Sequence, residues 1–154
     1  MIDQPTIVQT EALTAAVIRF TIPRDEIREV MGPAIQEVIE VAQAQGIGPS
    51  GPVFSHHFKM EPEIFDFEVG VPLSAPLKPT GRVQASELPA AKVIRSVYTG
   101  PYEGLGDAWG EFMDMIAAEG HSLTPNLWEC YLTNPETQPD SNTWRTELNR
   151  PLAS

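Results

Sequence analysis

The feature that most limits what this 154-residue chain can fold into is a repetition within it. Val17-Ile18-Arg19 returns as Val93-Ile94-Arg95, and Met60-Glu61-Pro62-Glu63 corresponds to Thr133-Asn134-Pro135-Glu136. Glu68-Val69-Gly70-Val71-Pro72-Leu73 corresponds to Glu147-Leu148-Asn149-Arg150-Pro151-Leu152. The matches run in one order at offsets of 73 to 79 residues, which marks a tandem duplication where any single match would not.

The repeated unit reads as strand–helix–strand–strand. In the first half, residues 15–21 form an apolar, β-branched strand. Pro23 suits a helix first turn, with Asp25 and Glu26 near the positive end of its dipole. Ile27, Val30, Met31, Ala34, Ile35, Val38 and Ala42 recur at helical spacing as one apolar stripe, and Gly46 stops the helix. Gly32-Pro33 inside this pattern is predicted to kink or break it. Strands at 53–60 and 64–71 follow, with Glu61-Pro62-Glu63 turning between them. The Pro-rich connection after Pro72 reads as a linker holding at most one short extended piece around Arg82-Val83-Gln84. The order then begins again: a strand at 92–98, then a helix opened by Gly100-Pro101-Tyr102 and stopped by Gly120. Leu105, Ala108, Trp109, Phe112 and Ile116 point inward from that helix. Strands at 127–132 and 143–148 close the unit. One α+β domain is expected, with halves at 6–73 and 91–152 and a linker at 74–90. Two such halves joined edge to edge make one curved antiparallel sheet with both helices on one face, leaving the opposite face concave for a ligand.

The strand Leu127-Trp128-Glu129-Cys130-Tyr131-Leu132 carries the chemistry. Alternation puts Trp128, Cys130 and Leu132 on one apolar face and Leu127, Glu129 and Tyr131 on the other. A carboxylate among aromatics on a central strand must be paired, neutralised or kept for a ligand. At an offset of 73 the counterpart of Glu129 is His56, which is expected to face it across the cleft. Tyr98, Tyr131 and Phe54 are candidate walls, with Trp144 a further one. The plain alternative is an ion pair from Arg95 or Arg145 on nearby strands. Glu68 and Glu147, which recur in both halves, either line the cleft or lie on an exposed strand face.

Composition narrows the function. A net charge of −11 argues against nucleic-acid and anionic-membrane partners and is compatible with cationic ligands or a basic protein partner. A lone cysteine, Cys130, excludes an internal disulfide and fits a cytoplasmic setting, its core-facing position pointing to an inert thiol. No export signal and no membrane-length apolar run is present. His56 and His57 are adjacent on a strand and point to opposite faces, so no metal site is expected. Neither a phosphate-cradling glycine loop nor a nucleophile elbow occurs, and no cofactor is expected.

Four stretches carry a resemblance to a known family. They are Tyr98-Thr99-Gly100-Pro101-Tyr102-Glu103-Gly104-Leu105, Phe67-Glu68-Val69-Gly70-Val71-Pro72-Leu73, Trp128-Glu129-Cys130-Tyr131-Leu132-Thr133-Asn134-Pro135, and Thr146-Glu147-Leu148-Asn149-Arg150-Pro151-Leu152. Together, and in this order, they resemble the GyrI-like effector-binding family, whose module also serves AraC-type and MerR-type multidrug regulators. The resemblance implies the duplicated sheet and a pocket with a glutamate at its base, which maps onto Glu129. It also implies hydrophobic cationic ligands, and in some members hydrolysis of cyclopropane-bearing electrophiles. No helix-turn-helix flanks the module in this sequence, so the expectation is a stand-alone sensor or sequestering protein. The first alternative is a cofactor-free hydrolase using Glu129 with Tyr131 or Tyr98. The second is an acidic protein-binding module such as a gyrase modulator.

Overall fold

The two halves build one eight-stranded sheet in which every neighbouring pair of strands is antiparallel. The structure is a computed structural model that describes residues 2–60, 63–133 and 137–153. Its elements are β1 (Thr6–Gln9), β2 (Leu13–Pro23), α1 (Ile27–Ala44), β3 (Phe54–Met60), β4 (Ile64–Pro72), β5 (Gln84–Leu88), β6 (Lys92–Thr99), α2 (Leu105–Ala118), β7 (Leu127–Tyr131) and β8 (Arg145–Pro151). The order β2-α1-β3-β4 is repeated as β6-α2-β7-β8. The expected turns at Glu61-Pro62-Glu63 and Thr133-Asn134-Pro135-Glu136 fall largely on 61–62 and 134–136, outside the described residues.

Both helices end in the same way. Gly46 (φ 69°) and Gly120 (φ 76°) adopt the left-handed conformation that favours glycine. In each case the next residue's N–H reaches back to the helix, from Ile47 to the Ala42 carbonyl and from His121 to the Ile116 carbonyl. This double-bonded terminus satisfies carbonyls the helix would otherwise leave open. Pro33 lies inside a continuous α1, so of the expected kink or break the break does not occur. It is exposed, and the Ala34, Val38 and Ala42 stripe beyond it is buried on the sheet, so packing outweighs one lost hydrogen bond.

Strand register fixes which side chains share a face. Ile18, Val69, Ser55, Glu129, Leu148 and Ser96 are paired in succession across β2, β4, β3, β7, β8 and β6. Directly paired residues point the same way, so this row lies on one face. α1 packs Ala34, Val38 and Ala42 on Ile18 and Val69 at one end of the row, and α2 packs Ala108, Phe112 and Ile116 on Leu148 and Ile94 at the other. Both helices therefore share one face, as expected, and each covers only the outer strands of its own half. The central pair β3–β7, carrying Ser55 and Glu129, lies between them.

Here the expected placement of the cleft is corrected. Glu129 is on the helix-bearing face, not on the face opposite. The helix-free face is closed at its centre by an apolar cluster of Ala15, Val17, Phe54, Leu88, Val93 and Trp128. The edge strands supply Leu88 from β5 and Val8 from β1 to that cluster. A smaller hollow of about 340 Å³ remains on that side beside Arg95 and Glu147.

Candidate functional site

The site begins with a break in the apolar row. Val69 on one side and Leu148 on the other are fully buried, and between them the chain places Ser55 and Glu129. A cleft of about 1260 Å³ opens above this break, between the helices. Val53, Glu129 and Tyr131 contribute to its floor. One wall is α1, which turns a second apolar stripe, Ile27, Met31, Ile35 and Ile39, toward the opening. Tyr102 and Leu105 at the start of α2 form the other, with Glu40 and Glu103 also lining the space.

Both oxygens of the Glu129 carboxylate accept hydrogen bonds. The indole Nε1–H of Trp109, reaching down from α2, donates to Oε2 at 2.5 Å. The Tyr131 hydroxyl, two residues along the strand and so on the same face, donates to Oε1 at 2.9 Å. The Ser55 hydroxyl lies 2.8 Å from that of Tyr131 and completes the network. Burial pushes the Glu129 carboxyl above its ordinary pKa, and hydrogen bonds from Trp109, Tyr131 and Ser55 draw it part of the way back. Burial, with the charge on Glu129 second, also holds Tyr131 well above the usual phenol value and raises Tyr102. Among the described residues no lysine or arginine forms an ion pair with Glu129. Arg95, the arginine expected to compete for it, points to the other face and pairs with Glu147 at 3.3 Å. Arg145 sits at the exposed start of β8.

Of the residues singled out in the sequence, Glu129 and Tyr131 meet in the cleft. His56, Phe54 and Tyr98 do not. His56 pairs with Trp128 and Phe54 with Cys130, which puts both on the helix-free face. The residue across from Glu129 is Ser55. Glu129 and Ser55 are 74 residues apart, as are the helix-stop glycines Gly46 and Gly120; an offset of 73 places the counterpart one residue off and on the wrong face. Tyr98 is buried beneath α2, where its hydroxyl donates to the Pro101 carbonyl at 2.8 Å and locks the strand-to-helix corner. Trp144 stands one ring back from the cleft. Its indole packs on Tyr102 at 4.9 Å, and Tyr102 in turn meets Tyr131 edge-on at 5.8 Å. Glu68 and Glu147 lie on the helix-free face, where Glu68 accepts from Ser86. Cys130 shares that face, and burial together with the Glu147 charge pushes its thiol up to about 12. His57 stacks on Phe67 on the helix side while His56 meets Trp128 on the other. No group of three or more metal-ligating side chains occurs among the described residues.

Trp109, Ser55 and Tyr102 were not expected at the site. Trp109 read as one more core residue of α2, although it lies beside the buried Ala108, Phe112 and Ile116 stripe and not within it.

The family profile of the GyrI-like small molecule binding domain matches residues 3–153. The chain belongs to the GyrI-like family. The likeness extends to solved structures of this GyrI-like fold. The EcmrR C-terminal domain superposes with a TM-score of 0.83 at 21% identity, covering 98% of each chain. EcmrR in an EcmrR-RPo complex with DNA gives 0.82 at 22% identity over 97% of this chain. The present chain spans 57% of the length of that EcmrR chain. SAV2435 bound to tetraphenylphosphonium gives 0.73 at 15% identity, covering 99% of this chain and 95% of the other. No curated protein matches this chain. Among the described residues no helix is long and apolar enough to cross a membrane.

Proposed function

We propose that this GyrI-like domain binds hydrophobic cations in the cleft between α1 and α2, with Glu129 supplying the counter-charge. One observation carries the reading. A largely desolvated carboxylate sits at the base of an apolar and aromatic cleft and is held by neutral donors, with no ion pair to a lysine or arginine among the described residues. A cation entering there gains a charge-assisted contact strengthened by its dry surroundings. Tyr131 and Tyr102 add ring faces to that attraction, about 0.5–2 kcal/mol each. The α1 stripe offers flat apolar area without directional groups, so it selects for bulk rather than one shape. That SAV2435 was solved with tetraphenylphosphonium supports the same ligand class here.

The binding reading is favoured over hydrolysis because both Glu129 oxygens already accept from fixed donors. That arrangement suits a stationary negative charge better than a base aimed at a water. A role in sensing small molecules for transcription regulation, and a cytoplasmic setting, belong to the same proposal. The test is thermal shift with tetraphenylphosphonium on wild type and Glu129→Gln. The wild-type melting temperature rises with ligand and that of the variant does not; equal shifts in both would remove the role of Glu129.

A further inference from the structure

We infer that Trp109 is the positioning residue that keeps Glu129 ionised and aimed into the cleft. The inference rests on the binding role just proposed for Glu129, and its test does not. Trp109 leaves the buried stripe of α2 and reaches one strand beyond those its helix covers, from over β8 to β7. Its ring is fixed on the way by a tilted contact with Phe112, with centroids 5.7 Å apart.

The donor chemistry of the three partners differs. Hydroxyl groups on Tyr131 and Ser55 can donate or accept, so they can serve either a carboxylate or a protonated carboxyl. An indole N–H can only donate. Trp109 is therefore the partner that distinguishes the two forms, since its hydrogen bond is strong to an anion and weak to a neutral acid. It is also uncharged. A lysine or arginine reaching the same oxygen would hold the carboxylate ionised and cancel its charge, leaving nothing for a cationic ligand. A donor without charge keeps the anion and leaves its field in the cleft. Among the described residues, the titratable groups that feel the Glu129 charge are Tyr131 and Cys130 on its own strand, Cys130 on the opposite face, and Tyr102 ahead of α2, while Glu103 and Glu40 line the same cleft. None of these is a cation.

The experiment is a carboxyl ¹³C titration of ligand-free protein with labelled glutamate, using Glu129→Gln to assign the resonance. Trp109→Phe keeps ring bulk and removes the N–H. Its Glu129 midpoint is expected to lie about one pH unit or more above that of wild type, in line with a hydrogen bond to a charged group. Tetraphenylphosphonium affinity in that variant is then about fivefold or more lower near the wild-type midpoint and recovers at higher pH. A purely structural role would weaken binding equally at all pH values. An unchanged midpoint in Trp109→Phe overturns the inference. Should that variant not fold, the indole proton of Trp109 in wild type provides the reading. It should move with the Glu129 titration and lose that movement in Glu129→Gln; a pH-independent indole proton overturns the inference equally. Failure of wild type to bind any cation would count against the proposed function and leave the ligand-free titration standing.

Discussion

Desolvation raises the energy of ionised Glu129, and Trp109, Tyr131 and Ser55 offset it only in part. The folded carboxyl therefore titrates above its unfolded value. Stability present at acid pH is lost as pH rises from the ordinary carboxylate range through the raised folded value. Glu129→Gln removes this loss, because the amide oxygen can accept from Trp109 while its NH2 donates to the Tyr131 hydroxyl. Urea denaturation of ligand-free protein at pH 8 should find the variant more stable by roughly 1–2 kcal/mol, with the difference shrinking toward pH 4. His56 and His57 work in the opposite direction. Burial lowers both from 6.5 to about 4, with His56 adding to the effect on His57. Each buried ring also leaves its Nδ1 without a partner. Their contribution is present above pH 6.5 and lost as pH falls toward 4, roughly 3 kcal/mol per histidine at the acid end. His57→Phe, which can keep the stack on Phe67, should unfold at lower pH than wild type in an acid titration followed by circular dichroism.

Among the elements, α1 does two jobs with two stripes. Ala34, Val38 and Ala42 are fully buried on the sheet, while Ile27, Met31, Ile35 and Ile39 are half-buried and line the cleft. Val38→Ala should destabilise by about 2 kcal/mol with little effect on ligand affinity. Ile35→Ala should destabilise by about 1 kcal/mol and weaken tetraphenylphosphonium binding about three- to tenfold, by combined denaturation and titration calorimetry. The sequence shows these residues, Ile39 apart, as one broad stripe because periodicity records apolarity and not what the apolar face meets. The helices, their glycine stops and the six strands of the two units were legible, since each has strong periodicity and clear punctuation. Edge strands were not. Residues 6–9 carry no strand signal that predicts β1, and the signal around Arg82-Val83-Gln84 predicts a shorter piece than β5 that begins two residues early. Each pairs along one side only, and β5 buries a single residue, Leu88, so neither shows a full alternation.

For the molecule as a whole, duplication both builds the sheet and opens the cleft. Each helix covers its own half, and the cleft proposed to take the ligand lies at the seam between the halves. The duplication and the seat of Glu129 beside Tyr131 on a central strand could be read from the sequence. The face could not, because alternation says which residues lie together and not which side the helices choose. His56 was misplaced for a related reason, since a one-residue error in offset reverses the face. Trp109 was hidden because a helix residue that reaches past its own strands looks like any other apolar position. The central claim is that a fixed, uncancelled negative charge selects ligands by sign. Tetraphenylphosphonium and tetraphenylborate share a shape and differ in charge, so titration calorimetry of both, with wild type and Glu129→Gln, tests it most directly. The account predicts that wild type binds the cation at least tenfold more tightly than the anion, and that most of this preference disappears in the variant. Equal affinity of wild type for the two ions, or a preference that Glu129→Gln leaves intact, would contradict it.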